Sequence, residues 1–101
     1  MARRKVIIIL SQATVILRGY TYEEVRCVAR VLKEVDSPYV RNMEITLNSE
    51  DPYTTIRKIA EEFGQVLNVG AGTVQTYDEL VLAIDAGAAF VLSPRQMSKQ
   101  M

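Results

Sequence analysis

Histidine and tryptophan are absent from this chain of 101 residues, and cysteine occurs once, at Cys27. Without histidine, neither a His-based catalytic triad nor a His-ligated metal centre can form. A single cysteine excludes an intrachain disulfide and fits a reducing compartment. Because no histidine or second cysteine can activate it, we interpret Cys27 as a semi-buried packing residue rather than a nucleophile.

An excess of charge is also lacking, since 12 Lys and Arg residues balance 12 Asp and Glu residues, with a pI near 6.2. This balance gives no electrostatic reason to expect nucleic acid or an anionic membrane as a partner. The apolar run at residues 6–10 is too short for the core of a signal peptide or for a transmembrane helix. We therefore expect a soluble cytoplasmic protein.

Hydrophobic residues make up 49% of the chain and recur in units of a strand followed by a helix. The length leaves room for one small domain, residues 1–101. Short β-branched or alternating runs predict four strands, at residues 13–20, 42–48, 66–72 and 88–94. The segment at residues 5–10 has strand propensity but lies too close to the first of these, so a short leading helix is the alternative.

Three helices are predicted between these strands from their start signals. Thr21 and Glu24 have the spacing of a capping box, as do Thr76 and Glu79, and Asp51 precedes a proline. Gly64 and Gly87 are placed to end the second and third helices. The apolar stripes at helical spacing are Val25, Val28, Ala29, Leu32 and Val35; Ile56, Ile59, Ala60 and Phe63; and Leu80, Ala83 and Ile84.

Alternating strands and helices favour a parallel sheet built through right-handed crossovers. The second strand has one polar face, Glu44 and Thr46, whereas strands of a doubly wound sheet are apolar on both faces. Arg18 ends the first strand. Polar groups at the carboxyl ends of strands are typical of the mouth of an α/β barrel, although about 250 residues are usual for a full barrel.

Four segments of the chain together resemble the first half of a known aldolase family. They are "VILRGYTYEEV", "MEITLNSEDPYTTIRKIAEEFG", "VGAGTVQTYDEL" and "AIDAGAAFVLSP". The family is that of 2-keto-3-deoxy-6-phosphogluconate and 2-keto-3-deoxy-6-phosphogalactonate aldolases, and the similarity runs from about residue 5 to residue 94. The resemblance implies a (β/α)8 TIM barrel, of which this chain would hold about four βα units, or half a barrel, after a short N-terminal helix at residues 5–10.

The same resemblance implies a class I aldolase, which cleaves a phosphorylated keto-deoxy sugar acid to pyruvate and glyceraldehyde 3-phosphate. The reaction proceeds through a lysine Schiff base, without a metal or another cofactor. Glu44 matches the carboxylate that moves protons, Thr73 a residue that holds the pyruvyl carboxylate, and Arg18 a charge in the mouth. Pro94 would shape the wall beside the pyruvyl group. Asn48 stands where phosphogluconate-specific members carry arginine, which favours a phosphogalactonate or related substrate.

The Schiff-base lysine of this family belongs to the sixth strand of the barrel, which has no counterpart among the four predicted strands. The lysines present, Lys5, Lys33, Lys58 and Lys99, fall on predicted helices or termini. We therefore expect this polypeptide alone to be inactive.

Two alternatives stay open beside that interpretation. Half barrels could pair their exposed edges and self-associate, or the chain could bind keto acids without catalysis. The expected partners are a small keto acid or phosphorylated sugar acid and further copies of the chain, since the family is often trimeric. Neither nucleic acid nor a membrane is expected.

Overall fold

Three parallel strands alternate with three helices along residues 13–93, the part of the chain that the computed structural model describes. The elements are β1 (Ala13–Leu17), α1 (Tyr22–Val35), β2 (Val40–Thr46), α2 (Pro52–Phe63), β3 (Asn68–Gly72) and α3 (Tyr77–Ala86). The strands lie side by side in chain order, and both pairs are parallel, as the alternation predicts. The interpretation of residues 5–10 and the residue Pro94 lie outside the described residues.

The fourth predicted strand is wrong in detail, because one isolated parallel bridge, between Ala71 and Val91, takes its place within residues 13–93. The segment does run beside β3, and the Leu92 N–H donates to the Ala71 carbonyl at 2.9 Å. Thr73 then turns out of β3 with a φ of 58°. In a regular parallel ladder the N–H of Thr73 would donate to the Leu92 carbonyl. Here the N–H of Val74 does so instead, at 3.2 Å, and this shift of one residue interrupts the ladder.

The starts of α1 and α3 confirm the predicted capping boxes. Thr21 Oγ1 accepts from the Glu24 N–H at 3.2 Å, while the Thr21 N–H donates to Glu24 Oε1 at 2.9 Å. Thr76 and Glu79 make the same reciprocal pair, at 3.1 and 3.2 Å. Each box satisfies amide groups that the first turn of a helix leaves without a partner.

The start of α2 differs from the prediction. Pro52 is its first residue, but Asp51 has a φ of 46° and its side chain makes no capping hydrogen bond. An N-cap side chain reaches the first turn from an extended backbone, which the left-handed conformation of Asp51 does not provide. Gly64 follows α2 in a right-handed conformation, whereas Gly87 ends α3 with a φ of 107°.

The hydrophobic core lies between the sheet and the helices. The core side chains come from one face of each strand and from the helical stripes, above all from α2; they include Leu17, Val25, Ala29, Met43, Ile45, Ile56, Ile59, Phe63, Val69, Ala71 and Ala83. The prediction of a buried stripe is wrong for two residues: Val35 is 64% exposed at the end of α1, and Ile84 is 57% exposed on α3. Cys27 is exposed as well, which corrects its interpretation as a semi-buried packing residue.

The face of the sheet that points away from the helices, which we call the inner face, has polar side chains near the amino ends of the strands. Asn68 Nδ2 donates to Asn42 Oδ1 at 2.8 Å, and Asn42 Nδ2 donates to Thr14 Oγ1 at 3.3 Å. The register pairs Asn42 with Thr14 on one side and with Asn68 on the other. A shift of one residue would turn every side chain to the other face, so these bonds form in one register alone.

Candidate active site

The carboxyl ends of the three strands bring three of the predicted site residues together. Arg18 directly follows β1, Glu44 lies on β2, and Thr73 directly follows β3. With Leu92 and Ser93 they line an open cavity of about 200 Å³. This is the end of a parallel α/β sheet at which ligands bind.

Glu44 points away from the helices. Its neighbours Met43 and Ile45 are 0% and 1% exposed within the core, so the alternation of a strand places Glu44 on the other face. There its carboxylate lies over Gly72, where a β-carbon would collide with it. The side chain is 6% exposed, although the cavity beside it is open.

Burial raises the pKa of the Glu44 carboxyl, and the positive charge of Arg18 opposes this rise only in part. The cause is the loss of hydration, which disfavours the charged form. A carboxyl group with a raised pKa can both accept and donate a proton closer to neutral pH than an exposed one. Glu44 is therefore suited to proton transfer.

Thr73 and Arg18 face each other across the cavity. Arg18 Nη1 donates to Thr73 Oγ1 at 3.5 Å, the outer limit of a hydrogen bond. Thr73 has a φ of 58°, a conformation that costs a residue other than glycine about 1–3 kcal/mol. A guanidinium and a hydroxyl so placed can together bind a carboxylate.

Asn48 is the predicted site residue that the described part of the chain does not bring to this cavity. Asn48 follows β2 but is exposed and is not among the residues that line the cavity. Pro94, Lys5 and Lys99 lie outside residues 13–93. Lys33 and Lys58, the two lysines of the described part, lie on α1 and α2.

A larger cavity, of about 260 Å³, opens between the starts of α1 and α2. Its lining includes three carboxylates, from Glu23, Glu50 and Asp51, and one lysine, Lys58. Because the acidic side chains repel an anion, the smaller cavity beside Arg18 is the better place for a negatively charged ligand.

Sequence reasoning missed Ser49, which connects two of the strand ends. Ser49 Oγ accepts from the Gly19 N–H at 2.7 Å and lies 3.0 Å from Thr46 Oγ1. The polar run around Ser49 is typical of any loop before a helix, so no local signal distinguishes this serine. Its role becomes visible only once β1 and β2 lie side by side.

Within residues 13–93, no group of three or more Cys, Asp or Glu side chains is placed to hold a metal ion. In the same part of the chain, none of the helices has the length and apolar character needed to cross a membrane.

Comparison with known proteins assigns the chain to a family. Residues 8–101 match the family described as KDPG and KHG aldolase. The KHG/KDPG aldolase of Escherichia coli K12 is 44% identical over 55 residues, which are 54% of this chain and 25% of that protein. The chain thus spans well under two thirds of this relative's length.

Two solved structures extend the comparison to the fold. The 2-keto-3-deoxy-6-phospho-gluconate aldolase of Zymomonas mobilis ATCC 29191 has a TM-score of 0.73 and 27% identity, over 87% of this chain and 40% of that one. A designed cube-shaped protein cage, made by fusing symmetric oligomeric domains, has a TM-score of 0.69 and 29% identity, over 82% of this chain and 30% of that one. Since the family match covers more than half of its length, the chain belongs to the KDPG and KHG aldolase family.

Proposed function

We propose that this chain forms the first strands of a class I aldolase barrel and supplies its proton-transfer and carboxylate-binding groups. The reaction would be cleavage of a 2-keto-3-deoxy-6-phospho sugar acid to pyruvate and glyceraldehyde 3-phosphate. The observation that carries the proposal is the meeting of Glu44, Arg18 and Thr73 at the carboxyl ends of three parallel strands. Membership of the KDPG and KHG aldolase family supports it.

Each side chain has a role that fits its surroundings. Glu44, whose pKa burial raises, moves protons between the substrate hydroxyl, the methyl carbon of pyruvate and water. Arg18 and Thr73, which face each other at 3.5 Å, bind the carboxylate of the pyruvyl group. A protonated imine between a lysine and the keto carbon would accept the electrons of the breaking C–C bond.

The amine for that imine is proposed to lie outside residues 13–93. Lys33 and Lys58 are on α1 and α2, which cover the face of the sheet opposite Glu44. Lys58 Nζ instead lies 4.8 Å from the centre of the Tyr22 ring. In the resembled family the lysine belongs to the sixth strand, so we expect this chain alone to be inactive.

The substrate proposal is a phosphogalactonate-type or related acid. Asn48 follows β2 at the same end of the sheet as Glu44, and its amide is neutral where phosphogluconate-specific relatives carry a guanidinium. The two acids carry the same charged groups and differ in the configuration of one hydroxyl, so a neutral amide in place of a guanidinium would discriminate between them through the way the substrate is oriented and hydrogen-bonded. In a reconstituted enzyme, Asn48→Arg should shift kcat/KM toward phosphogluconate. An unchanged preference would contradict this assignment.

Borohydride trapping with labelled pyruvate tests the proposed chemistry, because reduction of an imine leaves a covalent adduct. We expect no adduct on this chain alone, and an adduct when it is mixed with a polypeptide that carries the later strands of the Escherichia coli relative. In that mixture Glu44→Gln should lower aldol cleavage by about 10²–10⁴. The matched control is Glu34→Gln, on the exposed side of α1, which should leave cleavage unchanged.

Two results of this experiment would contradict the proposal. An adduct on the unmixed chain would mean that one of its own lysines is competent. An undiminished rate of cleavage in the Glu44→Gln mixture would show that Glu44 does not carry out the proton transfers. The non-catalytic alternative, a keto-acid-binding module, predicts pyruvate binding without cleavage in every mixture, with binding lost in Thr73→Ala.

Self-association is a second proposal, which the exposure of the inner face favours. Ile16, paired with Glu44 in the register, is 55% exposed, and Leu92 in the cavity wall is 44% exposed. A second copy that covers these side chains would remove apolar surface from water. The similarity to a cage made of symmetric oligomeric domains also supports a homo-oligomer. Sedimentation that shows a folded monomer would contradict it.

We further propose a cytoplasmic location for this activity. The single thiol, Cys27, is exposed on α1 and would stay reduced there. Detection of the protein outside the cytoplasm after cell fractionation would contradict the assignment.

A further inference from the structure

The turn after β2 contacts the backbone on both sides of Arg18. On one side, the Gly19 N–H donates to Ser49 Oγ at 2.7 Å. On the other, Thr46 Oγ1 lies 3.5 Å from the Leu17 carbonyl oxygen. Ser49 Oγ and Thr46 Oγ1 are 3.0 Å apart, so the two contacts form one continuous chain of hydrogen bonds. We call Thr46 and Ser49 together the hydroxyl clamp.

The direction of each bond in the hydroxyl clamp follows from the hydrogens available. A threonine hydroxyl has one hydrogen, and the Leu17 carbonyl can only accept, so Thr46 donates to Leu17. Ser49 must then donate its own hydrogen to Thr46, which leaves a lone pair for the Gly19 N–H. Every donor in this chain has an acceptor, which is the arrangement that stabilises a polar network.

Thr46 and Ser49 are fixed within the turn after β2, and Ser49 accepts the shortest of the described hydrogen bonds that join the loop around Arg18 to another strand end. Thr46 is 0% exposed, and the Ser49 N–H donates to the Thr46 carbonyl at 3.1 Å, closing a tight turn. Gly19 has a φ of 80°, a conformation that favours glycine, and the place a β-carbon would take is open. The Arg18–Thr73 bond and the Thr46–Leu17 bond are both 3.5 Å long, at the outer limit of a hydrogen bond, so the 2.7 Å bond from Gly19 to Ser49 is the strong link to this loop.

We propose that Thr46 and Ser49 are positioning residues that hold the Arg18 backbone so that its guanidinium stays beside Glu44 and Thr73. The contribution of the clamp to catalysis rests on the proposed aldolase function, because Arg18 matters there as a partner of the substrate carboxylate. The clamp itself acts in the chain without substrate.

Amide hydrogen exchange of the full chain tests the clamp directly. Ser49→Ala should speed the exchange of the Gly19 amide about five- to tenfold, since it removes that amide's acceptor. Ser37→Ala is the matched control: Ser37 Oγ accepts from the Tyr39 N–H at 3.1 Å in another loop. The control should speed exchange at Tyr39 and leave Gly19 unchanged, while Ser49→Thr should keep the protection of Gly19.

The titration of Glu44, followed by carboxyl carbon NMR, shows whether the clamp positions Arg18. The charge of Arg18 lowers the pKa of Glu44 against the effect of burial. Ser49→Ala should therefore raise the pKa of Glu44 further, and Ser49→Thr and Ser37→Ala should not. In an Arg18→Gln background the same Ser49→Ala change should have no effect, because no charge remains to be displaced.

Either of two results would overturn the proposal: an unchanged Glu44 titration in Ser49→Ala, or an equal change with and without Arg18. Both measurements use the chain without substrate, so they do not depend on aldolase activity. If the reconstituted enzyme fails to cleave but these shifts occur, the clamp stands and the proposed function falls.

Discussion

The carboxylate of Glu44 occupies the space above Gly72 that a side chain would fill. A similar relationship holds two residues earlier in β3, where a β-carbon on Gly70 would lie 2.5 Å from the ring of Phe90. The absence of a side chain at these two glycines therefore leaves room on the inner face for the Glu44 carboxylate and the Phe90 ring. Glycine is found in strands where another group approaches the backbone this closely.

Gly72→Ala should destabilise the chain by about 1–3 kcal/mol, because the added methyl group displaces the Glu44 carboxylate. Urea denaturation of the wild type and the variant measures the difference in the free energy of unfolding. The control is the same change in a Glu44→Ala background, where the collision is gone. If Gly72→Ala costs as much there, the close approach of the carboxylate is not the cause.

Glu44→Gln should make stability at neutral pH higher than that of the wild type. Burial raises the pKa of Glu44 above its ordinary value of 4.5, so the folded chain prefers the neutral acid. The wild type should match the variant well below pH 4.5 and lose stability relative to it as the pH rises through the pKa of the folded state. Urea midpoints across the pH range measure this.

Glu62→Gln should show the opposite pH dependence. Two hydrogen bonds from Arg26, at 2.8 and 2.7 Å, lower the pKa of Glu62. The wild type should therefore be the more stable form above pH 4.5, and its advantage should disappear as the pH falls through the pKa of the folded state. The side chains of Arg26 and Glu62 are 36% and 39% exposed, so the effect should be small and should shrink with added salt. The same trend in both variants would contradict the assigned directions.

The two capping boxes should each contribute about 1 kcal/mol to stability. Thr21→Ala and Thr76→Ala each remove a bond from a first-turn amide, at 3.2 and 3.1 Å. Asp51→Asn serves as the comparison, since the Asp51 side chain makes no capping bond and asparagine tolerates its left-handed backbone. It should change stability by less than about 0.5 kcal/mol. If thermal denaturation shows that Asp51→Asn loses as much stability as the threonine variants, the Asp51 side chain must cap α2 after all.

Two isoleucines should differ in their importance despite similar positions in helical stripes. Ile59 on α2 is 0% exposed, and Ile59→Ala should cost about 2–5 kcal/mol through lost burial and a cavity. Ile84 on α3 is 57% exposed, and Ile84→Ala should cost less than about 0.5 kcal/mol. Chemical denaturation of the two variants measures the contrast. Equal losses would place Ile84 in a buried contact.

Local patterns predicted much of this architecture because each depends on a few adjacent residues. The spacing of Thr21 and Glu24 is enough to predict a capping box, and alternation along β2 is enough to place Glu44 opposite the core. The resemblance then directed attention to Arg18 and Thr73, which the parallel register brings to one end of the sheet.

Features that depend on neighbouring strands or on backbone strain could not be predicted in the same way. The bond between Gly19 and Ser49 joins residues of two different loops, and no spacing rule connects them. The left-handed conformation of Thr73 is unusual for a β-branched residue, so the shift it imposes on the pairing at Val91 was unexpected. Asp51 likewise has the right residue type for a cap and the wrong backbone.

Each repeat of the described sheet offers one polar side chain to the rim: Arg18 after β1, Glu44 on β2 and Thr73 after β3. The core that keeps the chain folded lies on the far side of the same strands. Natural selection can therefore change one side chain at the rim at a time while the inherited scaffold persists. Because the rim and the core are separate, enzymes with new substrates can evolve from a repeated architecture of this kind without loss of the fold.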